Sequence, residues 1–160
     1  MRAVVQRVMR SAVYIVEDGD LHEAGRIGPG LTVLVGVAVD DTEDDAERLA
    51  QKIATLRIFP DDEGKLNRDV HEAGGAILAV SQFTLLADTR KGRRPSFVGA
   101  ASPEQGEALY NRVVARLRDS GLTVETGRFR THMHVEILND GPVTIILDTA
   151  DWAPAARQGT

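Results

Sequence analysis

The chain of 160 residues contains no cysteine, which excludes disulfide bonds, thiolate metal ligands and cysteine nucleophiles. It also lacks internal repeats and low-complexity tracts. No segment approaches the roughly 20 consecutive apolar residues of a membrane-spanning helix, and the N-terminal segment has no apolar stretch long enough for a signal peptide. We therefore expect a cytoplasmic protein that does not enter a membrane.

The size and composition are typical of one globular domain. Hydrophobic residues make up 42% of the chain and charged residues 27%, which is ordinary for a protein with a single core. We expect the domain to cover residues 1–148. Residues 149–160 are expected to form a C-terminal tail, from which Trp152 docks back onto the domain.

The net charge of −5 conceals an uneven distribution. Residues 40–47 hold six acids and no base, whereas residues 88–94 hold four bases and one acid. Arg128 and Arg130 form a second basic spot beside two histidines. A solvated loop is the simpler explanation of the basic segments, and contact with phosphate groups is the alternative.

Hydrophobic periodicity predicts strands, a helix, a strand, a second helix and further strands, in that order. Thr42 caps the first helix, and Ser102 followed by Pro103 begins the second. Because several strands are close in sequence, antiparallel hairpins should dominate. The prediction is an α+β domain whose mainly antiparallel sheet, or partly closed barrel, carries two helices packed on one side. The predicted strands are Ala3–Val8, Ala12–Val16, Leu31–Val39, Ala76–Phe83, Leu122–Glu125, Met133–Leu138 and Val143–Leu147.

One buried strand ends in a short polar segment that runs from Ser81 to Leu85. In an extended chain Ser81 and Phe83 point to one face, while Gln82 and Thr84 point to the other. These groups can hydrogen-bond a polar ligand, but a hydroxyl is a weak nucleophile without a neighbouring base. The chain contains no G-x-S-x-G nucleophile elbow. Capping of the strand end is the simpler interpretation of this segment.

A second segment, from Asn139 to Thr144, lies between the last two predicted strands. Asp140 and Gly141 are typical of a tight hairpin turn, with Pro142 opening the next strand. The alternative is a cis Gly141–Pro142 bond, which costs only about 0.5–1 kcal/mol relative to trans. A cis bond would turn both carbonyl groups to the same side. Both arrangements fit the local sequence.

Two histidines alternate along one predicted strand. His132 and His134, together with Glu136 or Asp148, offer a candidate ligand set for a metal. Two exposed polar side chains explain the same pattern more simply. We therefore expect no metal and no other cofactor.

Six segments together resemble the D-aminoacyl-tRNA deacylase family, to which D-tyrosyl-tRNA deacylases belong. The resemblance covers about residues 1–148 in order. It implies a homodimer, without a metal, that hydrolyses the ester between a D-amino acid, or glycine, and the 3′-terminal adenosine of a tRNA. The segments are Val5-Gln6-Arg7-Val8, Arg57-Ile58-Phe59, Val80-Ser81-Gln82-Phe83-Thr84-Leu85, Arg94-Pro95-Ser96-Phe97, Gly127-Arg128-Phe129 and Asn139-Asp140-Gly141-Pro142-Val143-Thr144.

The resemblance implies a site shared between two subunits. The pair Gly141–Pro142 is expected to be cis and to enter the partner subunit's pocket, where its backbone collides with any L side chain and tolerates a D-amino acid or glycine. Arg7 is expected to hold this pair in place.

The resemblance also implies which residues meet the substrate. The pocket floor and catalytic groups are expected at Ser81, Gln82, Phe83 and Thr84, with a backbone N–H at 83–84 facing the developing oxyanion. Either the Thr84 hydroxyl or the 2′-hydroxyl of the tRNA itself assists the attack. The residues expected to bind the rest of the substrate are Phe129 and Met133, which seat the adenine, and Arg94.

The chain departs from the family pattern directly after Phe129, where Arg130, Thr131 and His132 replace residues that are often small. Three other functions compete with the implied one. The same fold hosts a sister activity that removes misplaced L-alanine from tRNA. The basic residues of 88–94 fit a non-catalytic tRNA-binding domain. The histidine pair fits a metal-dependent hydrolase.

Overall fold

The structure is a computed structural model and describes residues 1–152. Its helices are α1 (Glu43–Thr55) and α2 (Pro103–Asp119), with short 3₁₀ helices at Phe83–Leu86 and Thr149–Trp152. The expectation of an α+β protein with two α-helices is confirmed. The strands are β1 (Arg2–Glu17), β2 (Asp20–Ile27), β3 (Gly30–Gly36), β4 (Phe59–Pro60), β5 (Leu66–Arg68), β6 (Ala76–Ser81), β7 (Val124–Thr126) and β8 (Met133–Asp148).

Both helices begin where their capping residues predict. The Thr42 hydroxyl accepts a hydrogen bond from the Asp45 backbone, and the Asp45 carboxylate accepts one from the Thr42 backbone, which forms a capping box. The Ser102 hydroxyl caps α2 in the same way. Each helix then buries one apolar stripe, and the two stripes pack against the same face of the sheet.

The sheet is mixed and is organised around β1. Its strand order is β2-β1-β3-β6-β7, and β8 pairs with the other edge of β1. β1 pairs antiparallel with β2, β3 and β8, whereas β3–β6 and β6–β7 are parallel. β4 and β5 also pair antiparallel, so antiparallel pairing dominates among the described strands, as expected, although the sheet is mixed. α1 and α2 are crossover connections between parallel strands, and a parallel connection requires such a crossover.

The sheet nearly closes into a barrel, with a seam between β2 and β7. Gly25 of β2 lies so close to β7 that an added Cβ would sit 3.0 Å from the Thr126 carbonyl oxygen. One apolar cluster fills the space between the sheet and the helices, and a second fills the inside of the curled sheet. Within the described residues, no helix is long and apolar enough to cross a membrane.

β1 is one continuous strand, so the prediction of two strands separated by a polar break was wrong. β8 pairs with β1 on both sides of the break, although the register shifts between Gln6 and Arg10. Within the break Ser11 is fully buried, and its hydroxyl donates a hydrogen bond to the Glu136 carbonyl. Strand pairing therefore outweighs the local polarity of the sequence.

β8 corrects a second prediction, because no hairpin separates its two halves. Residues on both sides of Asp140–Val143 pair antiparallel with the same strand, β1. Asn139 is opposite Val8 and Thr144 is opposite Gln6, so the intervening residues form a bulge beside Arg7. The Gly141–Pro142 bond within this bulge is cis.

The start of the expected tail packs onto the domain. Thr149 is buried, and the Trp152 backbone carbonyl accepts a hydrogen bond from Arg48 of α1. The Lys52 ammonium lies 5.4 Å from the centre of the Trp152 ring. The predicted docking of Trp152 is confirmed, while the remainder of the tail, residues 153–160, lies outside the described residues.

Candidate functional site

A cavity of about 740 Å³ opens between the end of β6, the start of α2 and the start of β8. Its wall combines apolar side chains with hydroxyl, amide and imidazole groups and one guanidinium, and it includes no carboxylate. Of the predicted pocket residues, this cavity brings together the floor segment and both of the residues that were expected to seat the adenine. The lining residues are Val80, Ser81, Gln82, Phe83, Thr84, Ala101, Pro103, Phe129, Arg130, Thr131, His132, Met133 and Val135.

The floor of the cavity is a strand that changes into a 3₁₀ helix. β6 ends at Ser81, the Gln82 N–H donates to the Val35 carbonyl at 2.7 Å, and the 3₁₀ helix starts at Phe83. Gly36 of β3 makes this arrangement possible, because a Cβ there would lie 2.5 Å from Leu86 Cδ2 and 3.0 Å from the Gln82 carbonyl. The bend fixes the position of the segment relative to the sheet.

The bend also overturns the expectation of an extended segment through Thr84. The Gln82 side-chain amide donates to the Thr84 hydroxyl at 2.8 Å, so the two side chains bond each other. Neither a histidine nor a carboxylate is bonded to this hydroxyl in the described part of the chain. Since an alcohol needs a base to become a strong nucleophile, the Thr84 hydroxyl is better suited to positioning than to attack.

Two aromatic contacts shape the cavity. Phe83 is 59% exposed, and its ring meets the edge of Phe97 at a centroid distance of 5.0 Å. Phe129 stacks on Tyr110 of α2 at 6.4 Å. The Tyr110 hydroxyl donates to the Ala79 carbonyl at 2.8 Å, and burial raises its pKa to about 12. Phe129 therefore rests on a ring that is itself anchored to β6.

The bulge in β8 does not line this cavity. Gly141 and Pro142 are exposed on their own subunit. Arg7 anchors the residue before them: its Nε lies 3.3 Å from the Asp140 carbonyl oxygen and 3.2 Å from the Asp140 carboxylate. Arg7 Nη1 also donates to the Ile58 carbonyl at 2.9 Å. Within this chain, the two motifs therefore occupy separate places.

The basic segment forms a loop next to the cavity rather than part of its wall. Backbone hydrogen bonds between Asp88 and Ser96 close the loop. The Arg90 guanidinium bonds the Asp88 carboxylate twice, which holds the pKa of that carboxyl well below its usual range. Arg94 is exposed on this loop and does not reach the cavity wall.

The histidine pair has the geometry of an aromatic contact. The rings of His132 and His134 are 5.4 Å apart and nearly perpendicular. No group of three or more histidine or acidic residues in the described part of the chain is placed to hold a metal ion. His132 lies in the cavity wall and His134 does not.

Sequence reasoning missed four contributors to the cavity. Ala101, Pro103 and Val135 form part of its wall, and Tyr110 supports Phe129. The long irregular segment before Ser102 could have indicated that the start of α2 meets a binding site. No local pattern indicated that Tyr110 would lie under Phe129.

The sequence matches the family described as D-Tyr-tRNA(Tyr) deacylase over residues 4–148. A relative named D-aminoacyl-tRNA deacylase, from Symbiobacterium thermophilum, is 60% identical over 149 residues, which cover 93% of this chain and 96% of the relative. A relative of the same name from Thermotoga petrophila is 55% identical over 150 residues, covering 94% of this chain and 98% of the relative.

Two solved structures are similar to this fold. One, described as c-Myc DNA Unwinding Element Binding Protein, is 40% identical with a TM-score of 0.84 and covers 97% of this chain and 100% of that chain. The other, described as a probable eukaryotic D-amino acid tRNA deacylase, has a TM-score of 0.77 and covers 91% of this chain and 97% of that chain. Its 19% identity supports a likeness of fold alone.

Proposed function

This chain belongs to the D-Tyr-tRNA(Tyr) deacylase family, and on that basis we propose that it removes D-amino acids, and glycine, from tRNA. It is a hydrolase that acts on ester bonds. The observation that carries the proposal is the cavity floor. There, the motif residues Ser81–Thr84 present backbone, hydroxyl and amide groups, and the cavity wall contains no carboxylate that could act as a base.

The terminal adenosine fits the apolar side of the cavity. Its base would lie between Phe129 and Met133, both half-buried and both in the wall. An adenine ring gains about 1–3 kcal/mol by stacking on an aromatic side chain. The ester carbonyl would then lie over the strand-to-3₁₀ bend, where the backbone N–H groups of residues 83–84 stabilise the developing oxyanion.

The nucleophile in this mechanism is water, assisted by the vicinal 2′-hydroxyl of the substrate. Water adds to the ester carbon, the bond to the ribose 3′-oxygen breaks, and that oxygen takes up a proton. The Thr84 hydroxyl, which is bonded to Gln82, orients the substrate. The products are a free D-amino acid and deacylated tRNA.

Selectivity for D-amino acids comes from steric exclusion by a second subunit. The exposed pair Gly141–Pro142 of one copy enters the cavity of the other, and its backbone occupies the space that an L side chain would need. Backbone cannot change rotamer to make room, so the exclusion applies to every L residue. Glycine has no side chain to exclude and is accepted.

Exposed apolar side chains support the proposal that two copies of the chain form a dimer. Met9 on β1, and Leu138 and Ile146 on β8, are 51%, 42% and 71% exposed. They belong to the strand pair that carries the bulge. Large exposed apolar groups on one structural unit are typical of a protein–protein interface. We therefore place the homodimer interface on this strand pair. We also propose that the protein acts on tRNA in the cytoplasm.

The test compares D-tyrosyl-tRNA and L-tyrosyl-tRNA as substrates of the purified protein, each with and without a chelator. We expect hydrolysis of the D-ester, at least about 100-fold slower hydrolysis of the L-ester, and no effect of the chelator. Equal cleavage of both esters would refute steric exclusion. Binding of tRNA without loss of the amino acid would identify a tRNA-binding domain instead, and inhibition by the chelator would identify a metal-dependent hydrolase.

A further inference from the structure

Arg130, at the cavity rim, has a backbone conformation that arginine rarely adopts. Its φ is +60°, in the left-handed region that glycine adopts without steric cost. The turn is closed by the Thr131 hydroxyl, which donates to the Arg128 carbonyl at 2.8 Å. This turn places Arg130 in the wall of the cavity. Strained backbone conformations of this kind are typical of functional sites.

Among residues 1–152, Arg130 also differs from most arginines in having no side-chain hydrogen bond or ion pair. Within residues 1–152, only Arg93, Arg94 and Arg130 among the arginines take part in no side-chain hydrogen bond or ion pair. By contrast, Arg128, two residues away, lies 2.6 Å from the Glu17 carboxylate. The guanidinium of Arg130 is therefore free to bind a ligand at the cavity mouth.

The electrostatic surroundings indicate which ligand fits. The protein carries a net charge of −5, yet the cavity wall holds Arg130 and His132 and no carboxylate. The other two unpartnered arginines lie on the basic loop, and Phe97, which directly follows this loop, contacts Phe83 of the cavity floor. The positive charge of Arg130, beside a cavity wall without carboxylates, attracts an anion to the cavity mouth.

We propose that Arg130 binds the phosphate group on the 5′ side of the terminal adenosine and so acts as a substrate-positioning residue. This inference rests on the proposed function, because it places the adenosine in the cavity. A guanidinium matches the geometry of phosphate oxygens better than an ammonium group does. The phosphate lies outside the reacting ester, so the contact contributes to binding and not to the chemical step.

Two substrates separate this role from a structural one. D-tyrosyl-tRNA carries the phosphate, whereas D-tyrosyl-adenosine, the nucleoside ester, lacks it. For Arg130→Gln we expect KM for the tRNA ester to rise about fivefold, the value of one partly exposed charge contact, with kcat unchanged. Both constants for the nucleoside ester should stay unchanged. Arg130→Lys keeps the charge, so its KM for the tRNA ester should lie close to that of the unmodified protein.

A control variant and a backbone variant complete the design. Arg112→Gln removes one positive charge from the outer surface of α2, where Arg112 pairs with Glu47, and should leave the KM for both esters unchanged. Arg130→Gly removes the charge and relieves the left-handed backbone, so it should unfold at a temperature no lower than the unmodified protein while showing the same KM increase. Equal effects of Arg130→Gln on both esters, or no effect on either, would overturn the proposal.

A binding measurement keeps this inference separable from the proposed function. Adenosine and adenosine 5′-monophosphate are titrated against the unmodified protein and Arg130→Gln without any ester present. We expect the monophosphate to bind about fivefold more tightly than adenosine, and the variant to lose this preference. Absence of the preference in the unmodified protein overturns the phosphate contact even if D-esters are hydrolysed. Its presence supports the contact even if they are not.

Discussion

Arg7 lies directly beside Asp140, the residue that precedes Gly141 and Pro142. Its Nε is 3.3 Å from the Asp140 carbonyl oxygen, and another of its nitrogens holds the Ile58 carbonyl. One side chain therefore ties the bulge of β8 to β1 and to the segment after α1. The guanidinium is largely buried, with 11% of the side chain exposed, so its position is fixed by packing as well as by charge.

Replacing Arg7 tests whether the bulge must be held in place. In Arg7→Ala the Asp140 carbonyl loses its donor, and Gly141–Pro142 can move. In the proposed shared site this pair also contacts the amino-acid end of the substrate, so its movement should lower kcat/KM for D-tyrosyl-tRNA at least about tenfold. Stability should fall by about 1–3 kcal/mol. Arg26→Ala serves as the control, because Arg26 of β2 bonds Glu23 of the same strand and Tyr14 of β1, away from the bulge. Activity of Arg7→Ala within twofold of the unmodified protein would contradict the assigned role.

The Thr84 hydroxyl and the substrate 2′-hydroxyl can be separated by removing each in turn. Because Thr84 is bonded to Gln82 and to no base, we expect Thr84→Ala to lower kcat less than tenfold. A substrate whose terminal ribose lacks the 2′-hydroxyl should react at least about 100-fold more slowly, the lower range for a lost general-base contribution. The reverse pattern in single-turnover assays would make Thr84 the nucleophile.

Tyr110 should make the free energy of unfolding depend on pH in alkaline solution. Its pKa is about 12 in the folded protein and about 10 in an unfolded chain. The unfolded state therefore loses this proton first, and the free energy of unfolding should fall between pH 10 and 12, by up to roughly 3 kcal/mol. Urea unfolding at several pH values checks this, with Tyr110→Phe as the variant that lacks the decline. An identical decline in the variant would exclude Tyr110 as its source.

Thr32 offers a stabilising substitution away from the site. It is fully buried on β3, and its hydroxyl has no hydrogen-bond partner within the described residues. Thr32→Val removes an unsatisfied polar group without changing the shape, so we expect a gain of about 1 kcal/mol in unfolding free energy. Thr149→Val is the matched control, because the buried Thr149 hydroxyl accepts a bond from the Met1 amino group. That variant should be destabilised, and a loss of stability in Thr32→Val would contradict the argument.

Local signals were sufficient for the helices, and the motif resemblance identified part of the cavity wall. The capping residues Thr42 and Ser102 mark the helix starts, and apolar periodicity identifies the buried faces. Motif resemblance selected Ser81–Thr84, Phe129 and Met133, all of which line one cavity. These features are readable because they depend on neighbouring residues or on side-chain chemistry.

The features that sequence could not supply depend on distant strands. β1 crosses a polar break because β8 pairs with it on both sides, and no property of residues 9–11 predicts this pairing. The same pairing turns the expected hairpin at Asp140 into a bulge. The bend after Ser81 is permitted by the missing Cβ of Gly36 on another strand. Each outcome is set by contacts between residues that are far apart in the chain.

The most direct measurement of the shared site uses dimers built from two chains, each impaired by a different substitution. One chain carries Ser81→Phe, which fills the cavity but leaves Gly141–Pro142 intact. The other carries Arg7→Ala, which leaves the cavity intact but releases the bulge. Co-expressed with different tags and purified as mixed dimers, they should recover about half of the unmodified rate on D-tyrosyl-tRNA, because one of the two sites is then complete. Mixed dimers no more active than the two parent variants would contradict a site completed by the partner subunit.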